Sequence, residues 1–430
     1  MSDVDIILNK LKNSTKDIEF LQELNECLEK RMSLSDAMSI YENKIVRYTE
    51  EFLKAKNEFG INYITGISTC IYLPSKDNKN DYTYTIIGGT RSRNSNEKIN
   101  QSTLFDVASI TKLFTLILLL RLSDLGLIDL NAKICDINPD FQNLEDYTLY
   151  DLMRLHGVLK TKKEVEYNNR YTAYENLKTL YLEDNSRDKN NYNDYGALVI
   201  ANTIEKIMSE KLKTKVKYKD ILNMFVLYPL DMMKTTYNPE TINVAGNANS
   251  LSLPHDPKTK ALGGVSGSSG IFTNSKELCL LAKDIINAKN NKGIVISKKM
   301  LDTLGEVTFP NDLDSNKGNL GLFIKHPGGL AMSYVPDEFS PGSFASQGWT
   351  GSVATFDPTK RIHQNILVNA IYNSSNETLV KNDKPKGYDV EFKKYQNKIT
   401  KCTIKMKFIQ EIYSLIDDKN ENIEKTSLLN

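Results

Sequence analysis

Residues 105–115 read Phe-Asp-Val-Ala-Ser-Ile-Thr-Lys-Leu-Phe-Thr (FDVASITKLFT), and the chain continues Leu116-Ile117-Leu118-Leu119-Leu120. The apolar run Leu113–Leu120 falls far short of the ~20 residues a membrane span needs, so it is expected to form a buried core helix. Ser109 and Lys112 stand at the mouth of that helix, three residues apart and so on one face. A serine hydroxyl is a poor nucleophile at neutral pH. A lysine beside it either takes its proton or stabilises the alkoxide, and the helix N-terminus with the Ser109 N–H could hold an oxyanion. The bland alternative is a capping serine followed by a surface lysine. Two further S-x-x-K tetrads, Ser95–Lys98 and Ser186–Lys189, lie in polar stretches with nothing apolar to anchor them.

Working outward, two strand-like runs precede this segment, Ile61–Leu73 and Tyr82–Gly89, with a polar turn from Pro74 to Asn78. Before them, Ser35 to Asn57 is amphipathic, with Ile45, Tyr48, Phe52 and Leu53 at helical spacing. Residues 127–259 read as helical, with charged loops at 160–170 and 183–192. A helix is expected at 275–289, then strand-like runs Leu320–Ile324, Ala331–Val335, Val353–Asp357 and Asn365–Ile371, and a helix at 391–417. The expected fold is α+β: a mostly antiparallel sheet flanked by helices, with an all-helical insert lobe. The partition is a helical N-terminal extension (1–35), a sheet lobe (36–126 and 260–418), a helical lobe (127–259) and a polar tail (419–430).

The chain has 430 residues, about three times a typical ~150-residue domain, so more than one core is expected. Lys+Arg is 55 and Asp+Glu 54, a balance that gives no reason to expect nucleic-acid binding. Gly 22 and Pro 12 exclude collagen-like and low-complexity classes. Cys27, Cys70, Cys135, Cys279 and Cys402 are odd in number and form no CxxC pair, which suits a reducing compartment and argues against structural zinc. No metal or other cofactor is expected. Met1–Asp5 is acidic and runs into Lys10 and Lys12 without an apolar stretch, so the expected location is cytoplasmic, with no membrane span.

FDVASITKLFT resembles the nucleophile segment of the serine β-lactamase and penicillin-binding-protein-like hydrolases, related to class C β-lactamases, whose signature is S-x-x-K. Other stretches are similar to that family in the family's order: TLYDLMRLHGVL (148–159), YNDYGALVIANTIEKI (192–207), LYPLDMMKTTYNP (227–239), LPHDPKTKALGGVSGSSGIFTNSKEL (253–278) and SFASQGWTGSVATFDPTKR (343–361). Together they cover most of residues 60–375.

The resemblance implies roles. Tyr192-Asn193-Asp194 stands as the second motif, preferred over Tyr167-Asn168-Asn169, Tyr174-Glu175-Asn176 and Tyr218-Lys219-Asp220 because Gly196, Leu198, Val199, Ala201 and Ile204 follow it. Tyr192, its pKa lowered by Lys112, would be the general base. Asp194, where the family commonly has Asn, would hold Lys112. The third motif reads Ser346-Gln347-Gly348-Trp349, where the family has Lys-Thr-Gly or His-x-Gly. Position 346 thus lacks the cation that helps bind an anionic substrate carboxylate, which weakens the β-lactam and cell-wall-peptide readings. Gly348 would let the strand approach the substrate, the Trp349 N–H would be the second oxyanion donor, and the Trp349 ring either walls a pocket or packs at the domain junction. His255-Asp256 reads as a loop-structuring pair, and the glycine-rich run 263–270 as a demanding turn beside the site, since it lacks a phosphate-loop ending.

The resulting expectation is a serine hydrolase acting through an acyl-enzyme on a small-molecule ester, amide or peptide. The alternatives are a catalytically weak scaffold or binding protein of the same fold, a β-lactamase, and a D-Ala-D-Ala carboxypeptidase. Self-association through the N-terminal extension is a further expectation.

Overall fold

The computed structural model describes residues 17–57, 60–75, 81–93, 95–187, 189, 191–240, 242–246, 252–307, 320–327, 335–336, 338–370, 390–416 and 423–429. Two helices come first, α1 (Ile18–Glu29) and α2 (Leu34–Lys54), capped by Asp17 and Ser33, whose side chains accept from the Phe20 and Asp36 N–H groups. β1 (Gly66–Leu73) and β2 (Tyr82–Gly89) pair antiparallel from Gly66↔Gly89 to Leu73↔Tyr82. β3 (Phe105–Asp106) leads through a tight turn at 108–110 into α3 (Thr111–Asp124). The helical region that follows carries β4 (Leu159–Thr161) paired with β5 (Leu180–Leu182), then α4 (Tyr195–Lys211) and β6 (Thr236–Tyr237). β7 (Ile271–Thr273) and α5 (Ser275–Ala288) return the chain to the sheet lobe. There β8 (Leu320–Gly321), β9 (Ile324–Lys325), β10 (Phe344–Gln347), β11 (Val353–Asp357), β12 (Ile362–Val368), α6 (Val390–Ile416) and β13 (Ile423–Leu428) complete it.

The main sheet runs β13-β2-β1-β12-β11-β10-β9-β8, antiparallel except where β13 lies parallel to β2. β1 sits inside it because β12, from the other end of the chain, pairs with it from Ile67↔Val368 to Tyr72↔His363. Alternation decides the layers. Ile67, Ile71, Ile366 and Val368 face α1, α2 and α6, where Phe52 stacks on Tyr395 with ring centroids 5.0 Å apart. Phe344, Ala354, Phe356 and Leu367 face the opposite way, toward α3, α5 and the helical region. α3 is buried from Thr111 to Leu120, the all-round burial expected of a helix that is apolar on every side.

Residues 419–430 were expected as a polar tail, and 423–428 form β13, which covers the outer edge of β2 and brings Lys425 within 3.1 Å of Glu42. α1 buries Phe20, Leu24 and Cys27 against the chain's own α2 and α6, so its apolar face is already covered; residues 1–16 of the extension lie outside the described residues. The expected strand Ala331–Val335 also lies outside them except for Val335. No described helix is long and apolar enough to cross a membrane.

Candidate active site

The turn that carries Ser109 is held from below. Asp106 of β3 is buried; its Oδ1 accepts from the Ala108 N–H at 2.9 Å, and its Oδ2 accepts from the His255 N–H at 2.8 Å and faces His255 Nδ1 at 3.0 Å. Ala108 has φ +49°, a left-handed conformation that costs a side-chain-bearing residue about 1–3 kcal/mol and survives only where its surroundings enforce it. β10 supplies further enforcement: a side chain at Gly348 would overlap the Val107 carbonyl oxygen and meet Ala108. Burial opposes charge on both Asp106 and His255. Their pairing outweighs it, holding the Asp106 carboxyl below its ordinary range and raising the His255 imidazole above its own.

Lys112 is fully buried. Its Nζ donates to Ser109 Oγ at 2.9 Å, to Asp194 Oδ1 at 2.8 Å and to the Ser268 carbonyl at 3.2 Å, three acceptors for the three N–H bonds of an ammonium. Desolvation works against this charge, but the Asp194 carboxylate more than restores it, so the pKa lies above that of a free lysine. Asp194 stands at the N-cap of α4 yet makes no capping bond; Asn193 Oδ1 accepts from the Gly196 N–H at 3.2 Å, which leaves the Asp194 carboxylate for the lysines. Its second oxygen faces Lys258 Nζ at 3.4 Å, and Lys258 reaches Glu166 at 2.6 Å. Against its own desolvation, Asp194 is kept below the usual carboxylate range by Lys112 and then Lys258.

The remaining expected residues fall into two groups. Tyr192 meets Lys112 through its ring, with Nζ 5.1 Å from the centroid, and is 40% exposed at the mouth of the site. Ser346 is buried on the same sheet face as Phe344, toward α3, while Gln347 shares the other face with Ala345 and accepts from Lys325 Nζ at 3.0 Å. Lys325 is paired with Ala345 on that other face, away from Ser346, so it does not stand in for a cation at 346; desolvation and then Lys393 push its pKa down to about 8. Trp349 is 44% exposed and follows Gly348, whose backbone lies against Val107 and Ala108, the residues that lead into Ser109.

Four of the competing motifs are engaged elsewhere, and Tyr167 is exposed. Ser186 Oγ donates to the Glu183 carbonyl and Ser95 Oγ to Glu97. The Tyr174 hydroxyl donates to Asp140 at 2.7 Å, and that of Tyr218 bonds Thr115 at 2.6 Å. Spacing alone missed Asp106, Glu166, Lys258 and the Ser268 carbonyl. His255 turns out to pair with Asp106 rather than Asp256, which instead caps the helix Pro257–Ala261 through the Thr259 N–H. Asp256-Pro257 was the available signal, an N-cap followed by a first-turn proline. In the glycine-rich run, a side chain at Gly267 would overlap the Ala197 carbonyl of α4, which is how the Ser268 carbonyl comes to face Lys112.

The family model described as Beta-lactamase matches residues 61–383. Over 317 residues the chain is 24% identical to the N-acetylmuramyl-L-alanine amidase of Bacillus subtilis (strain 168), spanning 63% of this chain and 69% of that protein. Among solved structures it is similar to a class C beta-lactamase in complex with cefoxitin, with 16% identity and TM-score 0.60 over 85% of this chain and 99% of that one. It is also similar to a hydrolase with promiscuous acyltransferase activity, with 14% identity and TM-score 0.59 over 77% of this chain and 100% of that one. These structures share the fold, a mixed sheet flanked by helices. The match takes in the Ser109 turn, the start of α4 and the end of β10 within one continuous span, and the chain belongs to the Beta-lactamase family, whose members are serine hydrolases.

Proposed function

We propose that the chain is a serine hydrolase that acts through an acyl-enzyme at Ser109 on small esters or amides. The observation that carries this reading is Lys112, a buried ammonium bonded at once to Ser109 Oγ and to Asp194. A lysine held as a cation is no proton acceptor. Its work is to stabilise the Ser109 alkoxide. Tyr192, at the mouth and over the ammonium, is the relay: it accepts the Ser109 proton as it passes its own hydroxyl proton to the leaving oxygen or nitrogen. The Ser109 Oγ–carbonyl bond forms as the ester or amide bond breaks, and water reverses the relay. The Ser109 and Trp349 N–H groups are the oxyanion donors in this reading.

Ser346 favours substrates without a carboxylate beside the scissile bond, which ranks esters ahead of β-lactams and D-Ala-D-Ala peptides. The named relative is an amidase, which supports amides as the second class. The same missing cation, with Tyr192 engaged through its ring, favours a weakly catalytic binding protein as the second reading. A panel of a p-nitrophenyl ester, nitrocefin and a D-Ala-D-Ala peptide separates them. The expected result is ester turnover that exceeds the other two and disappears in Ser109→Ala. Turnover equal in Ser109→Ala contradicts the proposal, and no turnover of any of the three supports the binding protein.

A further inference from the structure

Lys258 takes no part in the chemistry above, yet it grips the far side of the group that grips Lys112. Asp256 starts its helix by accepting from the Thr259 N–H at 2.7 Å, with Pro257 in the first turn. Lys258 Nζ then lies 2.6 Å from Glu166 Oε1 and 3.4 Å from Asp194 Oδ2, while Asp194 Oδ1 lies 2.8 Å from Lys112. Lys112, Asp194, Lys258 and Glu166 therefore alternate in sign along one row. The row joins α3, the start of α4, the Pro257–Ala261 helix and the loop 160–170. Exposures of 0%, 27%, 18% and 19% keep these charges largely out of solvent screening.

We infer that Lys258 is a positioning residue that divides the Asp194 carboxylate between two ammoniums and so keeps Lys112 directed at Ser109. Each carboxylate oxygen faces one lysine. Without Lys258, both oxygens turn to Lys112 and draw its hydrogen bonds away from Ser109. An asparagine at 194 would carry no charge to divide and would need no second cation, so Asp194 and Lys258 belong together. This inference rests on the hydrolase reading.

The test is a double-mutant cycle on the rate at which a fluorophosphonate labels Ser109 in the full chain, with circular dichroism confirming the fold of each variant. Lys258→Met is expected to slow labelling about tenfold, and Lys258→Arg to restore most of it. In an Asp194→Asn background, Lys258→Met is expected to change the rate less than about twofold. Glu166 loses its partner in both backgrounds, so that loss drops out of the cycle. If Lys258→Met does not fold, Lys258→Gln takes its place. Equal slowing in both backgrounds overturns the inference and leaves the hydrolase reading standing; no labelling of the unaltered chain at Ser109 overturns both.

Discussion

Ser109 owes its setting to charges that sit below and behind it. Behind it, Lys112 is held cationic by Asp194; below it, Asp106 ties the left-handed Ala108 to His255. The second pair makes a prediction about pH. His255 gains a partner on folding and its pKa rises above the usual value of about 6.5, so its stabilisation is complete below that pH and is lost as pH rises through the folded-state value. Asp106, whose pKa is lowered, stays charged throughout that range. The thermal midpoint is therefore expected to fall as pH is raised above about 6.5, and His255→Gln to flatten that decline. An equally steep decline in His255→Gln would show that other groups set it. Ser109 and Lys112 were legible because helix geometry ties spacing to proximity. Asp106 and His255, 149 positions apart, were not, because only the pairing of β3 with β7, together with the loop ahead of the Pro257–Ala261 helix, brings them together.

At the scale of elements, the end of β10 is pressed against the turn that leads into α3. Gly348 makes that possible: any side chain there meets the Val107 carbonyl and the Ala108 side chain. Gly348→Ala is expected to destabilise the protein by about 1–3 kcal/mol, in the manner of overpacking. It is also expected to slow labelling at Ser109 at least about tenfold by moving the Trp349 amide, the second oxyanion donor of the proposed mechanism, away from Ser109. Thermal unfolding and the labelling rate check the two parts separately, and loss of stability with an unchanged rate would remove β10 from the site. The elements with one clear pattern were readable: the strand-like run Tyr82–Gly89 is β2, and α3 fills the unbroken apolar run. β8 and β9 are two residues each, too short to show alternation, so Leu320–Ile324 read as one strand where the chain makes a hairpin.

For the whole molecule, α1 and β13, the first and last described elements, are both built onto the main sheet. Phe20 of α1 meets Tyr41 and Phe408 with ring centroids 6.1 Å from each. Phe20→Ala is expected to lower stability by about 3–5 kcal/mol, measured by denaturant unfolding, while leaving Ser109 labelling of the folded protein unchanged. A loss under about 1 kcal/mol would mean that α1 is an appendage. The sequence marked this extension as helical, but not its partner in α6, because an amphipathic face says that something covers it and not what. The same limit applies to β13, whose polar residues look like a tail until β2 offers an edge. In the proposed mechanism this architecture converges on Ser109 as a nucleophile. Intact mass spectrometry of the chain after exposure to a fluorophosphonate tests it most directly. A single covalent adduct, mapped to Ser109 and absent in Ser109→Ala, is the expected result; a folded protein that takes no adduct, or takes it equally in Ser109→Ala, would contradict it.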